Sequence, residues 1–209
     1  MSITVSQYEM VITKIENNVA NIGVALARIQ QAVDHGTWDR TAGLAQKLIA
    51  KINEMLASSR FPVIMDQYEA GWRKAHGHAA HVASDVQRQV DEARAIWGGD
   101  AGAAFQRGVA LQAPATGAVA SMARVIAETC AKLRDAGYAF YAGIGAAVAG
   151  CVTTLSGTTE PPVALAIAAI GAAWAALLAQ VNTGRSALQE IPGGGTAFPK
   201  GGWPLATTS

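Results

Sequence analysis

The stretch VASDVQRQVDEARAIWGGDAGAAFQ, residues 82–106, predicts a helix, a reversal of the chain and the beginning of a second helix. Its apolar residues belong to a stripe with four- and three-residue spacing, which is typical of a helix that packs along one narrow face. The members of this stripe are Tyr68, Trp72, Ala75, Ala79, Val82, Val86, Ala93 and Trp97. Gly98 and Gly99 end the helix, because glycine takes the positive φ of a helix C-terminus without strain, and Asp100 can cap the next helix.

A similar stripe near the beginning of the chain predicts a first helix over about residues 6–34. Its members are Tyr8, Ile12, Ile15, Val19, Ile22, Leu26, Ile29 and Val33. Gly36 indicates a turn, and the helix predicted after it carries Leu44, Leu48, Ile52 and Met55 on one face. Pro62 ends this second helix because it lacks a backbone donor, so a third helix is predicted from about residue 63 to residue 96.

The second half of the chain is poor in charge. A fourth helix is predicted from Ala101, with a kink or a break near Gln112 because Pro114 follows. Beyond Asp135 come two uncharged runs of 24 residues each, residues 136–159 and 161–184, in which no helical period is visible. Each run is long enough to cross a bilayer as a helix.

These patterns predict an all-α fold, an elongated helical bundle of antiparallel hairpins followed by an apolar helical hairpin. Four segments follow from the breaks in the pattern. They are an N-terminal hairpin over residues 1–60, a second hairpin over residues 61–136, the apolar hairpin over residues 137–184 and a Gly- and Pro-rich tail over residues 185–209. The tail is expected to be unstructured, or docked only by Phe198 and Trp203.

The composition excludes several classes of function. Hydrophobic residues make up 51% of the 209 residues and charged residues 15%, with a formal net charge of +1. A nearly neutral chain has no basic field for a polyphosphate, so we expect no nucleic-acid partner. Two cysteines, Cys130 and Cys151, are too few for a disulfide framework and are expected to be buried thiols or at most one disulfide. The first ten residues show no basic cluster before an apolar core, so no cleavable signal peptide is expected.

About residues 63–138 resemble the WXG100 family, small helical hairpins exported by type VII secretion systems of actinobacteria and related Gram-positive bacteria. The residues that carry the resemblance are Trp97, Gly98 and Gly99, followed by Phe105 among small residues. It implies that these four residues close the hairpin or recognise a partner, and that Trp97 fills the wedge between two antiparallel helices. A helical partner or self-association, as a homo- or hetero-oligomer, is expected as well.

The chain departs from the family in three respects. It is about twice the usual length of the family, Pro114 interrupts the second helix, and two apolar runs follow. The second element of the family's export signal, a Tyr followed four residues later by Asp or Glu, is missing, since Tyr138 leads to Ala142 and Tyr141 to Gly145. We therefore expect a partner protein to carry that signal, and the chain to be secreted without a cleavable signal peptide or to be membrane-associated.

Metal binding and catalysis find little support in the sequence. The cluster of His76, His78 and His81 has one nearby carboxylate, Asp85, which leaves a zinc site short of ligands. Nucleophile, phosphate-binding and dinucleotide-binding motifs are absent from the sequence. We therefore predict a protein that is not an enzyme, with no metal and no cofactor.

The two apolar runs admit two interpretations, a buried core hairpin or a hairpin that inserts into a membrane. Ala142, Ala146 and Gly150 form a row of small residues that allows close helix packing in lipid. The second run contributes bulky candidates for membrane contact, which are Ile167, Ile170, Trp174 and Leu177. A constitutive protein with two spans, and with Lys132, Arg134 and Arg185 on the cytoplasmic side, is a further alternative.

Two functional hypotheses follow. The first is a non-enzymatic type VII secretion substrate or secretion-associated helical protein that acts through protein contacts and through contact with a lipid membrane. The second is an α-helical pore-forming or membrane-inserting protein.

Overall fold

The computed structural model describes residues 5–29, 35–154 and 161–191, and throughout these residues the chain is helical apart from short turns. The helices are α1 (Val5–Ile29), α2 (His35–Leu56), α3 (Phe61–Ile96), α4 (Gly99–Val109), α5 (Gln112–Thr154) and α6 (Pro161–Gln189). The prediction of an all-α fold is confirmed, with no strand in the described ranges. The predicted tail contacts of Phe198 and Trp203 lie outside the described residues.

Proline marks the beginning of three helices, α3, α5 and α6, and α6 begins with Pro161 and Pro162. Pro62 is the second residue of α3, where its missing backbone donor costs no hydrogen bond. Pro114 lies in the first turn of α5, two residues after the α4–α5 break, so the interruption predicted near Gln112 is confirmed. From there α5 runs without a break to Thr154, and it therefore includes residues 136–154 of the first apolar run as well as the segment before it.

The described residues form two compact units, each built from segments distant in sequence. Unit 1 takes its residues from Met1–Met65 and Lys132–Asn182, and unit 2 from Asp66–Ala131 and Thr183–Ser209. Helices α1 and α2 thus share unit 1 with the second half of α5 and most of α6. The apolar hairpin of the sequence interpretation belongs to the same unit as the N-terminal hairpin.

The core of unit 1 is formed by four helices, α1, α2, α5 and α6. Its buried members are Tyr8, Ile15, Ile22, Ala45, Leu48, Ile52, Met55, Tyr138, Phe140, Tyr141, Ile144, Val148, Cys151, Val163, Ala166 and Ile170. Apart from Ala45, the core residues from α1 and α2 lie on the stripes predicted for those helices, as far as their side chains are described, and Leu44 of the predicted α2 stripe is only partly buried. The apolar runs therefore bury one face in a core, as the first of the two interpretations requires.

Two tyrosine hydroxyl groups connect α1 and α5 to the end of α2. Tyr8 donates a hydrogen bond to the carbonyl oxygen of Ser59, and Tyr141 donates one to the carbonyl oxygen of Met55 at 2.8 Å. The ring of Tyr8 lies 4.9 Å from that of Tyr138 and 5.7 Å from that of Tyr141, measured between centroids. Burial raises the pKa of Tyr8 well above its ordinary value, and the two neighbouring tyrosines add to this shift.

Unit 2 packs α3 against α5 through small side chains. Ala115, Ala120, Ala123, Ala127 and Cys130 are the buried apolar residues of α5 in this unit. The imidazole Nδ1 of His76 on α3 lies 2.9 Å from the carbonyl oxygen of Ala120. Tyr68, Trp72 and Val82, from the predicted stripe of α3, are exposed, whereas Glu69 is buried and pairs with Arg73. The α3 stripe is therefore turned partly away from the face that packs in unit 2.

The substitution Tyr8→Phe should lower the free energy of unfolding by about 1 kcal/mol, because it removes one buried hydrogen bond. Because the folded chain holds the Tyr8 proton that the unfolded chain releases near pH ~10, this contribution is complete below pH ~10 and is lost as the pH rises further. Wild type should therefore lose more stability than the variant above pH ~10 in urea unfolding measurements.

The matched control is Tyr68→Phe, because Tyr68 is exposed. It should leave both the stability and its pH dependence unchanged. Stability curves of wild type and Tyr8→Phe that run parallel through the alkaline range would contradict the role assigned to the Tyr8 hydroxyl group.

Candidate functional site at the α3–α4 turn and on helix α6

The turn between α3 and α4 has the backbone geometry that the glycine pair predicts. The amide of Trp97 donates the last bond of α3 to the carbonyl oxygen of Ala93 at 2.8 Å. Gly99 has a φ of 70°, a left-handed conformation that other residues adopt only with strain. Gly98 is the N-cap residue of α4, without a side-chain cap, and Asp100 lies inside the first turn. The predicted capping by Asp100 is therefore wrong, although its charge favours the helix N-terminus.

Gly102 is a further constraint on this turn that the sequence interpretation missed. A Cβ atom at this position would lie 2.2 Å from the carbonyl oxygen of Trp97 and 2.9 Å from its carbonyl carbon. Those are backbone atoms, so no rotation of a side chain relieves the overlap. The signal in the sequence was a glycine in the first turn of the second helix, three residues after Gly99.

Trp97 lies on the surface of unit 2. Its indole ring meets the ring of Phe105 edge to face, with centroids 5.1 Å apart and planes inclined by 71°. The residue is 53% exposed, and its neighbour Ile96 is 78% exposed. The expectation that Trp97 fills a wedge between two helices is therefore wrong, because the contact with Phe105 covers only part of the ring. What the turn presents to solvent is an aromatic residue next to an aliphatic one.

The structure separates the predicted membrane-contact residues into two groups. Ile170 is buried in the core of unit 1, and Leu177 is half-buried. The others are exposed, with Ile167 and Trp174 on α6 and Ala142, Ala146 and Gly150 on α5. Ile170 therefore does not face a membrane while unit 1 is folded. A helix without polar residues has no periodicity to mark its inner face, so this division was not visible in the sequence.

Helix α6 remains apolar on the sides that the core leaves uncovered. From Ala164 to Ala179 every exposed residue is apolar, and the bulky ones include Leu165, at 69% exposure, and Leu178. Two segments, Gly99–Val152 and Val163–Gln189, are long and apolar enough to span a membrane, and 22% of the most apolar window of each is buried. A core helix of a soluble protein passes the same test but is mostly buried, which α6 is not.

The histidines and cysteines occupy separate sites. His81 lies 3.4 Å from a carboxylate oxygen of Asp85, while His76 lies against the carbonyl oxygen of Ala120. In the ranges that the structure describes, no group of three His, Cys, Asp or Glu side chains comes together as a metal site would require. Cys130 and Cys151 are both buried, and neither forms a disulfide bond.

Comparison with known proteins returns nothing similar. The chain matches no protein-family model, no curated protein and no solved structure. The resemblance to the WXG100 family therefore depends on the residues of the α3–α4 turn.

The substitution Gly102→Ala should destabilise the protein by about 1–3 kcal/mol, the usual cost of overpacking, because the new methyl group overlaps the Trp97 carbonyl. Thermal and urea unfolding of the purified variant measure this loss. Gly98→Ala is the matched control, since a Cβ atom there has nothing within 4 Å and φ is −96°. Equal melting temperatures for the two variants would contradict the close approach at Gly102.

Proposed function

We propose that the protein is non-enzymatic and binds lipid membranes through the exposed apolar surface of α6. The observation that carries this proposal is that residues 161–184 have no charged side chain and that the exposed part of α6 is apolar over about four turns. A surface that docks a soluble protein usually has a polar rim around its apolar centre. Residues 164–179 of α6 carry no polar side chain, and charged residues of neighbouring helices, Lys51, Glu54, Lys132 and Asp135, border only the second half of this stretch among the described residues. The length of the uncharged surface favours lipid over a protein partner.

The contact proposed for the folded protein is a surface contact. Leu165, Ile167 and Trp174 are exposed and available, whereas Val163, Ala166 and Ile170 are buried in the core of unit 1. Bulky aliphatic residues each gain about 0.3–0.6 kcal/mol at the centre of a bilayer, so the few that share one side of α6 supply only about 1 kcal/mol. A membrane-spanning or pore-forming state is the stronger form of this proposal, and it requires α6 to leave the core.

The substitution Leu165→Arg should weaken binding to zwitterionic phosphatidylcholine vesicles, because it places a charge on the most exposed bulky residue of α6 and such a surface does not attract the added arginine. Vesicle cosedimentation measures this effect. A deletion of the whole hairpin would be uninformative, since it removes half of the unit 1 core. Met10→Arg on α1 is the control, because Met10 is exposed to a similar extent, 63%, outside α6. Ile167→Arg tests the other exposed side of α6, because it lies about 160° around the helix from Leu165. Binding that both α6 variants leave intact would refute the membrane contact through α6.

The α3–α4 turn favours a second candidate function, a substrate of type VII secretion or a protein associated with it. The turn combines a left-handed Gly99, a Gly102 that admits no side chain and an exposed Trp97 on Phe105. Gly99 and Gly102 constrain the backbone, while the exposure of Trp97 leaves it accessible for recognition. This arrangement supports the WXG100 resemblance, with Trp97 as the residue that a secretion component contacts.

The exposed stripe of α3 supports a helical partner in the same process. Tyr68, Trp72 and Val82 are exposed at helical spacing, a pattern that suits the apolar face of another helix. Such a partner would supply the export element that this chain lacks after Tyr138 and Tyr141. The two candidate functions are compatible, because an exported protein can act on a membrane.

In its natural host the protein should appear in the culture medium, and it should be lost from the medium when the type VII secretion ATPase is deleted. Trp97→Ala should reduce export without unfolding the protein, because about half of the side chain is exposed. Ile96→Ala is the control, as this neighbour is more exposed and lies outside the motif. Export that continues without the ATPase would exclude the secretion hypothesis.

A further inference from the structure

A groove of about 300 Å³ lies in unit 1 between the end of α2, the beginning of α3, and helices α5 and α6. Most of its walls are aromatic or aliphatic and include Phe61, Phe140, Trp174, Leu178 and Val181. Along α2 the lining residues extend from Lys51 to Met55, Ser58 follows in the turn after it, and along α6 they extend from Trp174 to Val181. The α6 segment is about 10 Å long at 1.5 Å per residue, so the groove is elongated.

The volume of the groove separates two kinds of occupant. One turn of an α-helix with its side chains fills about 400–600 Å³, from a diameter of 10–12 Å and a rise of 5.4 Å. A groove of about 300 Å³ therefore encloses less than one turn of a partner helix, which would have to lie partly outside it. A methylene group is about as large as a water molecule, whose share of liquid volume is about 30 Å³, so about ten methylene groups fit.

The polar groups of the lining also disfavour a peptide. Lys51, Glu54 and Ser58 carry the polar side chains on the α2 side, and the hydroxyl group of Tyr141 already donates to the carbonyl oxygen of Met55. An extended peptide would bury several backbone N–H and C=O groups against aromatic and aliphatic walls, at a cost of about 1–3 kcal/mol for each unpaired group. A hydrocarbon chain has no such groups to satisfy.

The ammonium group of Lys51 lies at one end of the groove. The ammonium nitrogen of Lys51 lies 6.0 Å from the centroid of the Trp174 ring and 2.9 Å from a carboxylate oxygen of Glu54. The Lys51 side chain is 49% exposed and that of Glu54 70%. An exposed ion pair of this kind contributes only about 0–1 kcal/mol, so the cost of exchanging the Glu54 carboxylate for another anion is small.

We propose that this groove binds one acyl chain of an anionic lipid, with the chain between α2 and α6 and the head group at Lys51. The inference rests on the proposed membrane contact, because a bilayer is the source of such chains. It adds a defined binding site to a surface contact. Wall composition, volume and the position of Lys51 all match a single-chain amphiphile.

The test is a calorimetric titration of the full-length protein with lauroyl-lysophosphatidylglycerol, kept below its micelle concentration so that no lipid surface is present. Wild type should bind saturably with about one molecule per chain. Leu178→Arg should weaken this binding about tenfold or more, because it places a charge in the groove. Val181→Arg is a second groove variant, and circular dichroism melting of each variant shows whether it is folded. Leu165→Arg should bind as wild type does, because Leu165 lies on α6 outside the groove lining.

A second experiment tests the position assigned to the head group. Lauroyl-lysophosphatidylcholine carries the same chain with a zwitterionic head, and it should bind more weakly than the glycerol form. Lys51→Gln should remove that difference. Equal binding of the two lipids by wild type would overturn the position assigned to the anionic head group.

Three further outcomes would overturn the site. The first is a linear, unsaturable signal, and the second is an equal loss of monomer binding in Leu178→Arg and Leu165→Arg. The third is a wild-type dimer that sediments as such without lipid and that Leu178→Arg dissociates, which would assign the groove to a second copy of the chain.

The site in the groove and the membrane contact can fail separately. Vesicle binding that depends on Leu165, without any binding of monomeric lysolipid, would overturn the groove and leave the membrane contact in place. Binding of monomeric lysolipid without vesicle binding would overturn the membrane contact and leave the groove in place.

Discussion

The constraint that governs unit 1 is that a helix apolar on all sides cannot be covered completely by three neighbouring helices. Helix α6 buries Val163, Ala166 and Ile170 in the core. Most of the hydrophobic free energy that α6 gains from packing comes from these residues. Its remaining sides carry residues such as Leu165, for which complete burial would gain about 1.5–3 kcal/mol. A fold that leaves this gain unrealised keeps a driving force for binding something apolar. Stability and binding thus depend on different sides of the same helix.

The hydrogen bonds of buried tyrosine hydroxyl groups give this apolar core a defined arrangement. Apolar contacts are not directional, but the hydrogen bonds of Tyr8 and Tyr141 must reach particular carbonyl groups, those of Ser59 and Met55. Both acceptors belong to the end of α2 and the turn after it, where the carbonyl oxygen of Met55 also accepts a bond from the amide of Ser58 at 3.0 Å. The tyrosines therefore fix the positions of α1 and α5 against this end of α2.

The sequence predicted what local chemistry determines. Glycine and proline mark the α3–α4 turn and the α4–α5 break at the expected positions, because their backbone restrictions act within a few residues. It did not predict the pairing of α1 and α2 with α5 and α6, since long-range packing leaves no local signal. The exposure of Trp97 and the burial of Ile170 and Glu69 were missed for a related reason. A stripe or an apolar run shows that a face is apolar but does not show which neighbour covers it.

The two candidate surfaces are separable because they share no side chain. Trp97 and its turn belong to unit 2, whereas the lipid groove and the exposed residues Leu165 and Leu178 belong to unit 1. A substitution at the turn that impaired export should therefore leave lipid binding by the purified protein intact, and a charge on α6 should leave export intact. If export also failed with a charge on α6, recognition would involve unit 1 as well as the turn, and the WXG100-like hairpin alone would not be the unit that is recognised.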